Sequence, residues 1–121
     1  MQNNLQAILT RVTVSFLIVI GAAGAVAQEL QKEADELYER RAFFEASKEY
    51  VVAYAKEKNL DSRAHCAFYA GECHRLLHNY DLAIEWYDKA LGLRYANTNP
   101  AIFLLYGDIL RDQENFFDAM E

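Results

Sequence analysis

Two cysteines, one proline and five glycines are all that this 121-residue sequence has of the residues that staple, break or loosen a chain. It also has no cluster of lysine and arginine. Cys66 and Cys73 are seven residues apart, so on a helix their Cα atoms stand about 10 Å apart along the axis. A disulfide needs about 7 Å or less, which excludes a bridge between them. They form no C-x-x-C motif, and no second ligand pair exists to complete a zinc site. Cys73 adjoins His74, but helical neighbours point about 100° apart, and no third group orients the two as nucleophile and base. The thiols read as small groups filling helix-packing space. His74 and His78, four apart, are a weak metal pair that reads better as structural or solvated side chains.

The net charge is −6. Without a basic patch there is no field to hold nucleic acid or an anionic membrane surface. The acidic surface reads first as a solubility device. A long apolar run is missing as well. Residues 12–27 carry no charge and follow Arg11, but 16 residues fall short of the roughly 20 that span a bilayer. The run ends in Ala25-Val26-Ala27, a small-x-small pattern that signal peptidase accepts, directly before a charged segment. Residues 1–27 are expected to be a signal peptide, with a retained anchor as the alternative. No cysteine follows to carry a lipid. The mature part is expected to be exported, to the periplasm or the periplasmic face of the outer membrane.

What the chain does have is a repeat. Tyr80, Ala83, Ile84, Tyr87, Ala90 and Leu91 follow the i, i+3, i+4, i+7 rhythm of one helix face. The same aromatic-x-x-Ala pattern occurs upstream in Phe43-Phe44-Glu45-Ala46, with Tyr50 and Ala53, and downstream in Phe116-Phe117-Asp118-Ala119. From Phe43 to Tyr80 is 37 residues and from Tyr80 to Phe116 is 36. A small residue, Ala34, Gly71 or Gly107, sits at a constant distance before each pattern, in a second amphipathic segment. Small residues let helices approach closely while aromatics fill the space beside them. Each unit is therefore expected to be a helix pair.

The turns fit this reading. The first mature helix is expected over about Gln28–Arg41 and the second over Phe43–Lys58, with Asn59-Leu60-Asp61-Ser62 as a turn in which Asp and Ser cap the next helix. That helix should run from about Ser62 to His78. Asn79 and Asn115 are expected to be left-handed turn residues inside their units. Asn99 should cap a helix that has Pro100 in its first turn. The third unit's second helix should then start near Phe116 and stop within about six residues, too short to be stable alone.

The motif resembles the tetratricopeptide repeat, over roughly residues 28–121. The resemblance implies an all-α solenoid of antiparallel helix pairs, about two and a half repeats at 28–60, 61–97 and 98–121. The sequence departs from the family at Ala67, where Trp is frequent, and lacks the proline that often closes a repeat, with Tyr95 near one such place. The run Gly71 to Tyr80 followed by Ala83 to Ala90 is similar to the amino-terminal repeats of exported Bacteroidetes-type envelope proteins. Several of those continue into a β-propeller and an OmpA-type domain, and some belong to gliding or type IX secretion machinery.

The resemblance implies a groove lined by first-helix residues: Gln31, Asp35, Tyr38 and Glu39, then His65, Phe68, Glu72, Arg75 and Leu76, then Leu104, Asp108, Arg111 and Asp112. Phe68 and Leu104 would be apolar contacts, with Glu72, Arg75, Asp108 and Arg111 as polar selectors beside Tyr38. The acids disfavour carboxylate capture and favour a protein or peptide segment with aliphatic and some basic side chains. Glu72 with Arg75, and Asp108 with Arg111, are equally spaced to pair on their own helix. The function implied is a non-enzymatic protein-interaction module in a cell-envelope assembly, needing no cofactor or metal and forming part of a larger protein. The alternative is a spacer or a dimerisation element that uses the apolar carboxyl-terminal end.

Overall fold

A computed structural model describes residues 24–120, apart from the side chains of Phe116 and Ala119. The expected leader lies outside the described residues as far as residue 23. Five α-helices follow one another: α1 over residues 24–39, α2 Phe43–Lys56, α3 Leu60–Leu76, α4 Tyr80–Gly92 and α5 Ile102–Met120, with a 3-10 turn at Tyr95–Asn97 before α5. No strand occurs among the described residues. α3 lies between α2 and α4, α5 packs on α4, and α1 meets α2 and α3 through Asp35.

Alanines make the seams. Ala34, Ala46, Ala53, Ala67, Ala70, Ala83 and Ala90 are fully buried, and Tyr50 and Tyr87 fill the space beside them. Gly71 has a specific reason. A Cβ placed there would lie 2.6 Å from the Tyr87 ring and 3.2 Å from the Ala83 carbonyl oxygen, so α3 and α4 touch only because that side chain is absent.

The turns inside the first two units are copies. Arg41 and His78, 37 apart, are both left-handed, with φ of 63° and 60°. The N–H of Ala42 donates to the Leu37 carbonyl and that of Arg41 to Tyr38. In the second unit Asn79 donates to His74 and His78 to Arg75. These paired bonds form the Schellman closure, which satisfies the last carbonyls of α1 and α3. The left-handed residue is thus His78, one place before the expected Asn79.

Several boundaries move for local reasons. α1 runs through the Ala25-Val26-Ala27 site instead of starting at Gln28, and Ala27 is buried. α2 stops at Lys56 because the Glu57 carboxylate accepts from the N–H groups of Lys58 and Asn59, both at 3.0 Å. The cap of α3 is Asn59, whose side chain accepts from Ser62 N–H at 3.0 Å, so Asp61 and Ser62 lie inside the helix. Asn99 does accept from Ala101 N–H at 3.2 Å, but Pro100 and Ala101 form a turn and the regular helix starts at Ile102.

The largest correction concerns the third unit. No turn forms at Asn115, and α5 continues unbroken from Ile102 to Met120. Folding back would surrender several helical hydrogen bonds. Arg111, Gln113 and Glu114 are good helix formers, so the segment carries the helix through the place of the expected turn.

Candidate interaction surface

The expected groove acids turn out to link helices. In the first unit the Tyr50 hydroxyl on α2 donates to Asp35 on α1, and His65 Nε2 on α3 lies 3.0 Å from the same carboxylate oxygen. In the second unit the Tyr87 hydroxyl on α4 donates to Glu72 on α3, and Arg75 grips both Glu72 oxygens at 2.8 and 2.9 Å. Each acid precedes its tyrosine by 15 residues, and the two links are 37 residues apart. Burial would raise the Asp35 carboxyl, but the bonds from His65 and Tyr50 and the nearby imidazole outweigh it and hold the group below its ordinary range. Burial first, and the Glu72 carboxylate second, push the Tyr87 phenol far up. Both tyrosines therefore stay protonated and act as donors.

Phe68 departs from the sequence reading. It is buried, stacked 4.5 Å from the Tyr95 ring and 5.7 Å from Tyr87. Tyr95, standing near the place of the missing proline, covers the surface that Phe68 was expected to offer. Glu72 is 6 % exposed and is consumed by its two internal partners. Tyr38 is half-buried between Phe43 and Tyr69, with ring centroids at 5.5 and 5.0 Å. Arg75 faces Glu72. Thus Phe68, Glu72 and Arg75 stack and bond within the second unit, and Tyr38 meets Tyr69 across the two.

The remaining three expected residues do present surface. Leu104 is 73 % exposed, and Asp108 pairs with Arg111 on the outside of α5 at 2.8 Å. One side of α5 is held, with Ile102 and Ile109 buried and Gln113 donating to Asp81 of α4 at 3.2 Å. Away from it stand Phe103, Leu104 and Leu110, all exposed, around Gly107, whose added Cβ would meet nothing within 4 Å. By the 36-residue offset, Phe103, Gly107 and Leu110 correspond to Ala67, Gly71 and His74 of α3, the side against which α4 packs. One unit earlier, Leu30, Ala34 and Leu37 of α1 hold the same places and join the core. This register is covered twice and open once among the described residues. Phe103 and Leu110 belong to the apolar pattern that the sequence shows for this helix, with Ile102, Tyr106 and Gly107; what the sequence reading lacks is their exposure, which the offset from Gly71 and the loss of the expected turn account for.

A second concavity, a cleft of about 690 Å³, lies between the α3–α4 turn and the end of α5 and is lined by His78, Tyr80, Asp81, Asp112 and Gln113 among others. His78 Nδ1 and the Tyr80 hydroxyl are 2.9 Å apart there.

Neither cysteine reaches these surfaces. Both are fully buried. Burial pushes each thiol up to about 12, with carboxylates adding to it, Asp35 and Glu57 at Cys66 and Glu72 at Cys73. A thiolate is the reactive form, so the folded chain is expected to leave a thiol reagent unconsumed at pH 7.5 and to release two equivalents only in denaturant. One fast-reacting thiol in the native state would contradict this placement. Among the described residues no three or more His, Cys, Asp or Glu side chains are grouped to hold a metal ion, and no helix is long and apolar enough to cross a membrane.

The chain matches no known protein family, no curated protein and no solved structure.

Proposed function

We propose that this chain is a non-enzymatic, tetratricopeptide-like protein-interaction module, exported to the cell envelope and working as the interaction arm of a larger assembly. Its contact surface is the open side of α5, with Leu104 as apolar contact, Asp108 and Arg111 as polar selectors, and Phe103 and Leu110 beside them. The observation that carries this reading is the exposed Leu104 beside the surface Asp108–Arg111 pair, with Phe103 and Leu110 also exposed on the same helix. The repeated acid–tyrosine links support it by giving the two preceding units a stiff frame from which that face is presented. The buried, strongly basic thiols give no support to a thiol-based reaction.

The test is a photo-crosslinking residue placed at Leu104 in the full chain, with a second at Lys48 on the outside of α2 as reference. A discrete protein adduct is expected from position 104 and not from position 48, in the envelope fraction of cells, and its yield should fall several-fold when Arg111→Ala is added. Adducts from both positions alike, or from neither, would overturn the reading.

A further inference from the structure

The cleavage site of the expected leader lies inside a helix. Processing after Ala25-Val26-Ala27 hydrolyses the bond between the Ala27 carbonyl and the Gln28 nitrogen, with water divided between a new carboxylate on Ala27 and a new ammonium on Gln28. In the folded chain that bond belongs to α1, which is continuous over residues 24–39.

A peptidase that reads small-x-small takes its substrate as an extended strand, in which residues 25 and 27 point to the same side. On a helix they stand about 200° apart, and here Ala25 is exposed while Ala27 is 1 % exposed. Three and seven residues further on, Leu30 and Ala34 hold the same side as Ala27 and join the core. The backbone is withdrawn too, because a helical carbonyl at residue 27 is engaged by the N–H of residue 31. Laying residues 25–30 out as a strand would therefore expose Ala27 and Leu30 and pull on Gln31, whose side-chain oxygen lies 3.8 Å from Cys66 Sγ. The cost of that opening sets how seldom the folded chain presents the site.

The helix does not need the leader in return. Leu30, Ala34 and Leu37 remain to hold α1 against the core. A helix that begins at Gln28 has Glu29 in its first turn, where an acid offsets both the helix dipole and the new ammonium. Cutting first and folding second is therefore permitted, whereas folding first closes the site.

We infer that the Ala27–Gln28 bond is a processing site closed by the fold: a signal-peptidase-type enzyme cuts it before α1 docks and not after, so a chain that folds first keeps its leader. This rests on the export reading and adds the regulation of that step. The relative rates of folding and cutting then set the proportion of two forms, one that starts at Gln28 and one that still carries the uncharged residues 12–23 ahead of α1.

The full chain, in mild detergent, is incubated with a purified bacterial signal peptidase, and the cut between Ala27 and Gln28 is followed by mass spectrometry. Tyr50→Asp and, separately, Ala46→Asp place a charge at fully buried positions of α2, outside the residues that the enzyme reads, and circular dichroism gives the unfolded fraction of each. Phe44→Ser, at an exposed position of α2, is the control that stays folded. The parent chain and Phe44→Ser are expected to be cut at least tenfold more slowly than the two core variants, with rates that rise in proportion to the unfolded fraction. Equal rates for folded and unfolded chains would overturn the inference and leave the leader reading standing. No cut at residue 27 in any chain, the unfolded ones included, would remove the processing site itself, and with it both the inference and the leader on which the export reading draws. The crosslinking at position 104 tests the contact surface independently of either result.

Discussion

Replacing Glu72 by alanine is expected to lower the stability of the chain by about 3–5 kcal/mol, the usual cost of removing one partner from a buried ion pair. The carboxylate is 6 % exposed and serves two groups at once, the Arg75 guanidinium and the Tyr87 hydroxyl. Its removal leaves a guanidinium on a side chain only 27 % exposed without its counter-charge, and a buried hydroxyl without an acceptor. Tyr87→Phe should cost less, about 1 kcal/mol, because Arg75 still satisfies both carboxylate oxygens. The double variant Glu72→Ala with Tyr87→Phe should then fall short of the sum of the two, since one change removes the partner of the other. Urea unfolding followed by circular dichroism reads all three. A loss below about 1 kcal/mol for Glu72→Ala would mean that the bonds to Arg75 and Tyr87 contribute nothing beyond what water supplies.

Gly71→Ala is expected to destabilise by about 1–3 kcal/mol, the range for forcing extra volume into a packed seam. The sign is not obvious in advance, because alanine favours helix over glycine by about 1 kcal/mol. Geometry decides it. The new Cβ would stand 2.6 Å from a Tyr87 ring that is fully buried and tied through its hydroxyl, and 3.2 Å from a backbone carbonyl. Neither neighbour can swing away without moving α4. Gly107→Ala is the internal control. With nothing within 4 Å of the added methyl, only the helix preference remains, and stability should rise by up to about 1 kcal/mol. Thermal unfolding of the two variants side by side should therefore give shifts of opposite sign. Equal shifts would contradict the difference in environment between α3 and α5.

Both variants test positions whose importance was legible in the sequence. Ala34, Gly71, Ala46 and Ala83 could be placed at helix contacts because a small residue recurring beside aromatics has few other uses in a helix. Tyr50 and Tyr87 were legible as core for the same reason. The partners of their hydroxyls were not read. The groove reading turns Asp35 and Glu72 outward, although their 15-residue spacing to Tyr50 and Tyr87, repeated 37 residues on beside the small residues Ala34 and Gly71, is the available signal. Asn115 shows the opposite failure. The run Gln113-Glu114-Asn115-Phe116 resembles Leu77-His78-Asn79-Tyr80, and only the second makes a turn. The left-handed residue His78 is held because α4 returns along α3 and buries Ala83 and Tyr87 there. Burial of that kind is a tertiary quantity, and a four-residue pattern carries no record of it. Phe68 was misplaced because its cover, Tyr95, comes from an irregular segment outside the helical periodicity.

The same alternation of covered and open helix faces sets how the molecule comes apart. α3 is held on two sides, by α2 and by α4, whereas α5 is held along one side by Ile102, Ile109 and the Gln113 bond. Local opening begins where buried contacts are fewest. The amides of α5 should therefore exchange with solvent more readily than those around Cys66–Cys73, which should exchange only when α2, α3 and α4 separate. A partner seated on the open face would remove that gradient. Occupancy of the surface would be read in the protection of the α5 backbone amides beneath it.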